Sequence, residues 1–187
     1  MIHSVRFTVV LDTNVVYPVV IRDLLFWFAH YDLYTVKWSR HIFDEWRDVM
    51  QRKSVTIERM ESRIGKANTA FPDALVCNYE PLIEILALPD EKDRHELAAA
   101  IKADASLIVT HNLKDFPDDI LELYGVKAKS PDDFLTDIID LNGGMAVEAF
   151  KEMVQNKRNP ELDEYQMLNL LRKHGLAQTA DYLHALI

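Results

Sequence analysis

The stretch Val9-Val10-Leu11-Asp12-Thr13-Asn14 decides the fold. An apolar, β-branched run stops at an acid, a hydroxyl and an amide, and Pro18 then leads into the apolar segment Val19-Val20-Ile21-Arg22-Asp23-Leu24-Leu25-Phe26-Trp27-Phe28-Ala29. A strand that is apolar on both faces is buried on both faces, as in a parallel sheet. Polar groups at its carboxyl end then stand where open α/β sheets place their ligands. A single acid there has a bland reading as a turn or helix-cap residue. Further acids arriving at the same edge from later in the chain would make it a cation site.

Working outward, residues 5–11 read as a buried strand and 18–29 as a mostly apolar helix, with Pro18 tolerated near its start. Residues 33–38 read as a second strand. Ser39 is a good N-cap for a helix that carries Ile42, Phe43, Trp46, Val49 and Met50 at helical spacing. A more polar helix covers 56–69, a third strand 82–88, an alanine-rich helix 91–103 and a fourth strand 106–110. A helical turn at 118–123 precedes a short strand at 126–128. Strands alternating with helices indicate a mostly parallel sheet of four or five strands between helical layers, a three-layer α/β/α arrangement.

The remainder changes character. Ser130-Pro131-Asp132-Asp133 is a strong helix start, with a hydroxyl cap, proline at the first helical position and acids in the first turn. After Gly143-Gly144 the pattern gives helices over 145–156, 160–174 and 177–186, with Gly175 as the stop between the last two. The chain therefore divides into an α/β domain over 1–135 and a helical extension over 136–187.

The 187 residues are 49% hydrophobic and 27% charged, proportions that fit a soluble globular protein. The apolar runs are interrupted short of the ~20 residues that a membrane span needs. The first residues run straight into a strand, so a signal peptide is not expected. Cys77 is the single cysteine, reads as a small core residue, and fits a reducing cytoplasm. The formal net charge of −9 argues against strong metal-free binding to nucleic acid through a broad basic face. It leaves room for a nucleic-acid substrate held at a metal-neutralised centre with basic residues nearby.

Four segments supply acids. Asp12 ends the first strand. On the helix after Ser39, residues advance by about 100° each. The apolar face then centres near Trp46, Asp44 points away from it, and Glu45 lies at its border, within reach of a cleft rim. In Asp90-Glu91-Lys92-Asp93-Arg94-His95, Asp90 suits a helix cap, while Asp93 shares an inward stripe with Leu97 and Ile101. In Thr110-His111-Asn112-Leu113-Lys114-Asp115-Phe116, a strand again ends in polar groups. Carboxylates forced together repel, and Mg²⁺ or Mn²⁺ relieves this because hard cations prefer oxygen ligands. No histidine and cysteine spacing resembles a zinc site, and no glycine-rich phosphate loop is present. Such a centre suits phosphodiester hydrolysis, in which a cation acidifies water and offsets charge on phosphorus.

Taken in order, Leu11-Asp12-Thr13-Asn14, Ser39 with Glu45, the 90–95 segment and the 110–116 segment resemble the PIN-domain nucleases. The likeness is closest to the VapC-type toxins of toxin–antitoxin pairs and covers roughly residues 5–135. It implies a Mg²⁺- or Mn²⁺-dependent endoribonuclease in which a metal-activated water hydrolyses RNA. It also implies an antitoxin protein as partner, a homodimer, a cytoplasmic location and no membrane association. It carries metal binding onto Asp12, Glu45 and Asp93, with Asp115 as a further catalytic acid and Thr13, Asn14, Ser39 and Asn112 in support. Many family members have an aspartate at the position of Asn112; here the acid falls at Asp115, so either residue could complete the centre.

The run Arg40, Arg47, Arg52, Lys53, Arg59, Arg63 and Lys66 is either a solvated face or a basic rim for the RNA backbone. Arg40 and Arg47, nearest Glu45 in sequence, are the expected RNA contacts. His95 and His111 read as surface or supporting residues. Two rival functions remain. One is a catalytically weak binding module that engages an antitoxin or RNA, suggested by Asn112. The other is a phosphatase with Asp12 as nucleophile, which Asn14 disfavours because that chemistry resembles Asp-x-Asp after the first strand.

Overall fold

A computed structural model describes residues 7–187. In chain order it comprises β1 (Thr8–Leu11), α1 (Thr13–Val16), α2 (Val19–His30), β2 (Thr35–Ser39), α3 (Arg40–Arg52), α4 (Ile57–Ala70), β3 (Leu75–Val76) and α5 (Glu80–Ile83). Then follow α6 (Arg94–Lys102), β4 (Leu107–Val109), α7 (Asp118–Leu121), β5 (Lys127–Lys129), α8 (Pro131–Leu141), α9 (Gly143–Asn156), α10 (Glu164–Lys173) and α11 (Ala177–Leu186). The fold class is α/β, a parallel five-stranded sheet flanked by helices, and further helices follow it. The first residues of the expected strand at 5–11 lie outside the described residues.

The chain forms two compact units, Met1–Tyr17 with Thr35–Lys129, and Pro18–Tyr34 with Ser130–Ile187. The division falls at Lys129/Ser130, against the 135/136 boundary drawn from the sequence, and α2 joins the C-terminal helices. The reason lies in α2 itself, which packs against α9 and α10.

In the first unit the strand order is β3-β2-β1-β4-β5, with every neighbouring pair parallel. β1 lies at the centre, and Val9, Val10 and Leu11 are fully buried. The chain runs outward from β1 to β2 on one side and to β4 on the other, so the topological switch point lies between β1 and β4. At such a point the strands' carboxyl ends open a crevice. Register aligns those ends: Val10 pairs with Lys37 and Leu11 with Val109. The next residues, Asp12, Ser39 and Thr110, therefore meet at one edge. Helix α6 packs on β1, β2 and β4. Its Ala98, Ala99 and Ala100 are fully buried and let the helix backbone approach the sheet closely. Trp38, Ile42, Phe43 and Trp46 complete this core, each large side chain contributing about 1.5–3 kcal/mol through burial.

Two expectations fail here. Residues 82–88 are not a strand. Pro81 stands at the first turn of α5, and the third strand is the short β3 at Leu75–Val76. A short apolar run with two-residue alternation does not separate a strand from an irregular segment that buries Leu86 and Leu88 while exposing Ile85. Cys77 is exposed rather than part of the core.

In the second unit α8 packs on α9 and α11, and α10 on α11. The Tyr34 hydroxyl donates to the Leu25 carbonyl at 2.9 Å, and its ring meets Phe134 edge-on at 5.0 Å. Gly175 does end α10, adopting φ 84°, a left-handed conformation open to glycine at little cost. Among the described residues, no helix is long and apolar enough to cross a membrane.

Candidate active site

Asp12, 6% exposed, follows β1 directly and caps α1 by accepting from the Asn14 amide at 3.1 Å. The cap reading and the site reading are thus both realised in one residue. Oδ2 of Asp12 accepts from the Thr110 hydroxyl at 2.5 Å and from the Asn14 side-chain amide. Asn14 in turn donates to Thr110 at 3.0 Å and accepts from the His111 backbone at 3.0 Å, tying the end of β1 to the end of β4. Asp12 is therefore fixed by groups that leave it little freedom to turn.

Glu45 comes from the second turn of α3, which Ser39 caps by accepting from the Ile42 amide at 3.2 Å. The Thr13 hydroxyl donates to Oε2 of Glu45 at 2.6 Å, and Nε2 of His95 lies 3.0 Å from Oε1. Burial works against ionisation of Glu45. The hydrogen bonds from His95 and Thr13, with the nearby His95 and His41 rings, outweigh it and hold the carboxyl below its ordinary range. His95 is itself buried, and His41 stacks on it at 5.0 Å. Of the two readings of His95, surface or supporting, the buried contact with Glu45 fits the supporting one.

Asp93 ends the single 3₁₀ turn that precedes α6. Its Oδ2 is buried without a hydrogen-bond partner. Burial first, then the charges of Asp12, Asp90, Asp115 and Glu45, push its carboxyl up to about 6. Asp90 caps that turn, as its position suggests, accepting from Lys92 at 2.9 Å. Asp115 reaches the group electrostatically and accepts from the Asn112 side chain, whose backbone amide donates to Thr110 at 2.9 Å.

The sequence reading missed Glu96. It is 2% exposed, hydrogen-bonded with Asp12, and pushed well above the carboxylate range by burial, then by Asp12, Asp93 and Glu45. The signal was available: Asp93, Glu96, Leu97, Ala100 and Ile101 occupy one helical stripe, and an acid inside it must face the crevice. Thr110 was also missed, although the register of β1 and β4 places it beside Asp12.

A groove of about 450 Å³ opens beside these acids, lined by Asp12, Thr13, Asn14, Tyr17, Glu45, Asp48, Val49 and Arg52. Arg47 does not line it. It pairs with Asp44 and Glu61, each at 2.8 Å. Arg40 is exposed at the first position of α3 and is also absent from the lining.

A family model described as "PIN domain" matches residues 8–114, more than half of the chain. The chain belongs to the PIN-domain family. A second model, "VapC50 C-terminal domain", matches residues 131–185, the helices from α8 onward. A relative from Mycobacterium tuberculosis (strain ATCC 25618 / H37Rv), named "Putative ribonuclease VapC50", is 45% identical over 109 residues. That match covers 56% of this chain and 64% of the relative. No solved structure matches.

PIN nucleases work with divalent metals, and the residues here fit such a group. The donors are mostly carboxylate oxygens, which hard cations prefer. Asp93 and Glu96 each leave a buried oxygen without a partner, a condition that a cation would relieve.

Proposed function

We propose that this PIN protein is a divalent-cation-dependent endoribonuclease, using Mg²⁺ or Mn²⁺, and the toxin of a type II toxin–antitoxin pair. The observation that carries the reading is the convergence of Asp12, Glu45 and Asp93 beside a groove, with an unpartnered buried oxygen on Asp93. The name of the Mycobacterium tuberculosis relative supports the same chemistry. The VapC50-type helices support an antitoxin-linked role.

Asp12, Glu45 and Asp93 would hold the cation, with Asp115 and Asn112 at its margin. When bound, the cation supplies positive charge opposite a phosphodiester and acidifies water. Thr110 and Asn14 fix the Asp12 carboxylate, and Thr13 and His95 fix Glu45. The ligands are thereby preorganised at almost no cost at the moment of binding. The groove's volume suits a nucleotide unit. Arg52 and Tyr17 line the groove and would meet a phosphate and a base of single-stranded RNA. Arg40 and Arg47 would act farther along the RNA backbone, Arg47 only after exchanging its carboxylate partners. Homodimerisation and a cytoplasmic location belong to the same proposal.

The test is cleavage of single-stranded RNA by the purified chain with Mn²⁺, with EDTA, and as Asp12→Asn. Cleavage should need the cation and fall by on the order of a hundredfold or more in the variant. Equal cleavage by Asp12→Asn, or cleavage in EDTA, would overturn it. RNA or antitoxin binding without any cleavage would instead establish the binding-module reading.

A further inference from the structure

The PIN-domain reading assigns Asp12, Glu45 and Asp93, gives His95 only the positioning of Glu45, and leaves Glu96 without a task. Both are buried at the start of α6, 5% and 2% exposed. Each carries a buried polar atom that no protein group satisfies, Nδ1 of His95 and Oε2 of Glu96. A buried polar atom without a partner costs roughly 1–3 kcal/mol, and a cation among these side chains would relieve the Glu96 oxygen. Both side chains are directed at the acids. His95 contacts Glu45 at 3.0 Å and Glu96 is hydrogen-bonded with Asp12. Donor atoms of Glu45, His95 and Glu96 lie within 4.8 Å of one another, close enough to share one ion.

We infer that Glu45, His95 and Glu96 form a cation locus with one nitrogen and two oxygen donors, which takes a first-row transition cation in preference to Mg²⁺. The inference rests on the metal-dependent reading above and adds two ligands and a selectivity to it. Two physical arguments set that selectivity. Imidazole nitrogen suits first-row transition cations, whereas Mg²⁺ favours oxygen alone. Mg²⁺ also gives up its waters reluctantly, and a locus walled by two nearly inaccessible side chains offers little room for water. Cis donors on an octahedral ion at about 2.1 Å stand about 3.0 Å apart, which is the spacing that His95 and Glu45 already hold.

The rival explanation is that His95 only orients Glu45 through a hydrogen bond. Electron spin echo envelope modulation of Mn²⁺ bound to the full chain separates the two, because only a directly bound imidazole gives strong ¹⁴N modulation. Wild type should show that modulation and His95→Gln should lose it. Glu96→Gln should weaken Mn²⁺ binding by calorimetry by about tenfold or more, and Mg²⁺ should compete better against Mn²⁺ in both variants than in wild type. Absence of ¹⁴N modulation in wild type would overturn the inference, as would full Mn²⁺ affinity in Glu96→Gln. If His95→Gln fails to fold, the wild-type spectrum and Glu96→Gln still decide. Failure here is distinct from failure of the ribonuclease reading, since a protein that cleaves RNA through Asp12 yet shows no bound nitrogen overturns this inference alone.

Discussion

The Thr13 hydroxyl stands 2.6 Å from Oε2 of Glu45, so the residue beside one acid on the chain aims another acid from α3. Thr13 is buried, and its hydroxyl is a short link between the end of β1 and the second turn of α3. Thr13→Val keeps the shape and removes the donor. Mn²⁺ affinity should fall by roughly 10–100-fold, the usual cost of losing a group that orients a metal ligand. Thr13→Ser should restore most of it. Calorimetric titration of the three proteins checks this, and an unchanged affinity in Thr13→Val would show that Glu45 needs no such support.

The crowded acids also set how the metal-free protein responds to pH. Asp93 has a folded pKa of about 6 against an ordinary 3.8, so between those values the folded chain holds more protons than the unfolded one. Stability therefore falls as pH rises through that window, and the loss is complete above about 6. Glu96 acts in the same direction and extends the loss to higher pH. Glu45, held below its ordinary value, acts oppositely: its contribution is present above 4.5 and is lost as pH falls further. In EDTA, Asp93→Asn should match wild type in Tm near pH 4 and exceed it at pH 7.5. The expected excess is roughly 2–4 °C, the scale of about 1 kcal/mol once solvent screening at half-buried Asp93 is allowed for. Saturating Mn²⁺ should reverse the order. A variant that melts below wild type at pH 7.5 in EDTA would contradict the repulsion argument.

Much of this architecture is legible in the residues, for physical reasons that also mark where legibility stops. Val9-Val10-Leu11 announces a central strand because burial on both faces removes alternation. Ser39 announces α3 because few residues cap a helix as well. Asp93 can be placed by its stripe, but Glu96 was passed over although the same stripe contains it, because a glutamate amid alanines resembles a solvated helix residue. Residues 82–88 fail for the opposite reason: burial of alternate side chains is common to strands and to irregular segments. Of the partners of Arg47, Asp44 is an i,i+3 neighbour on the same helix, but Glu61 could not be read. The pairing of Arg47 with Glu61 joins α3 to α4 and depends on how two helices cross, which no local pattern encodes.

Ser39 separates a structural task from a chemical one. Its side chain is fully buried and accepts from the Ile42 amide at 3.2 Å, satisfying one of the orphan donors at the start of α3. Ser39→Ala should cost about 1 kcal/mol of stability, seen as a fall in Tm of roughly 2–4 °C. Since Thr13 and His95, not Ser39, hold the Glu45 carboxylate, Mn²⁺ affinity should change by less than about threefold, against the 10–100-fold range for an orienting group. A large loss of affinity with unchanged Tm would place Ser39 in the site itself.

Asp132 offers a complementary test in the second unit. Helix α11 starts after Leu176, which supplies no side-chain cap, so its first amides need an acceptor from elsewhere. Asp132, in the first turn of α8, provides it. Oδ1 accepts from the Thr179 amide at 2.8 Å and from the Thr179 hydroxyl at 2.6 Å, and Oδ2 accepts from the Gln178 amide at 3.1 Å. Thr179 is fully buried, so loss of these acceptors leaves its buried amide unsatisfied and its hydroxyl with only the Asp132 backbone carbonyl at 3.3 Å. Asp132→Ala should cost about 1–3 kcal/mol and speed amide exchange across α11, whereas Asp132→Asn, which keeps one oxygen acceptor, should cost less. Mn²⁺ affinity should be unchanged, because every acid assigned to the cation belongs to the other unit. Unaltered exchange protection of residues 177–186 in Asp132→Ala would show that α11 is held by its apolar face alone.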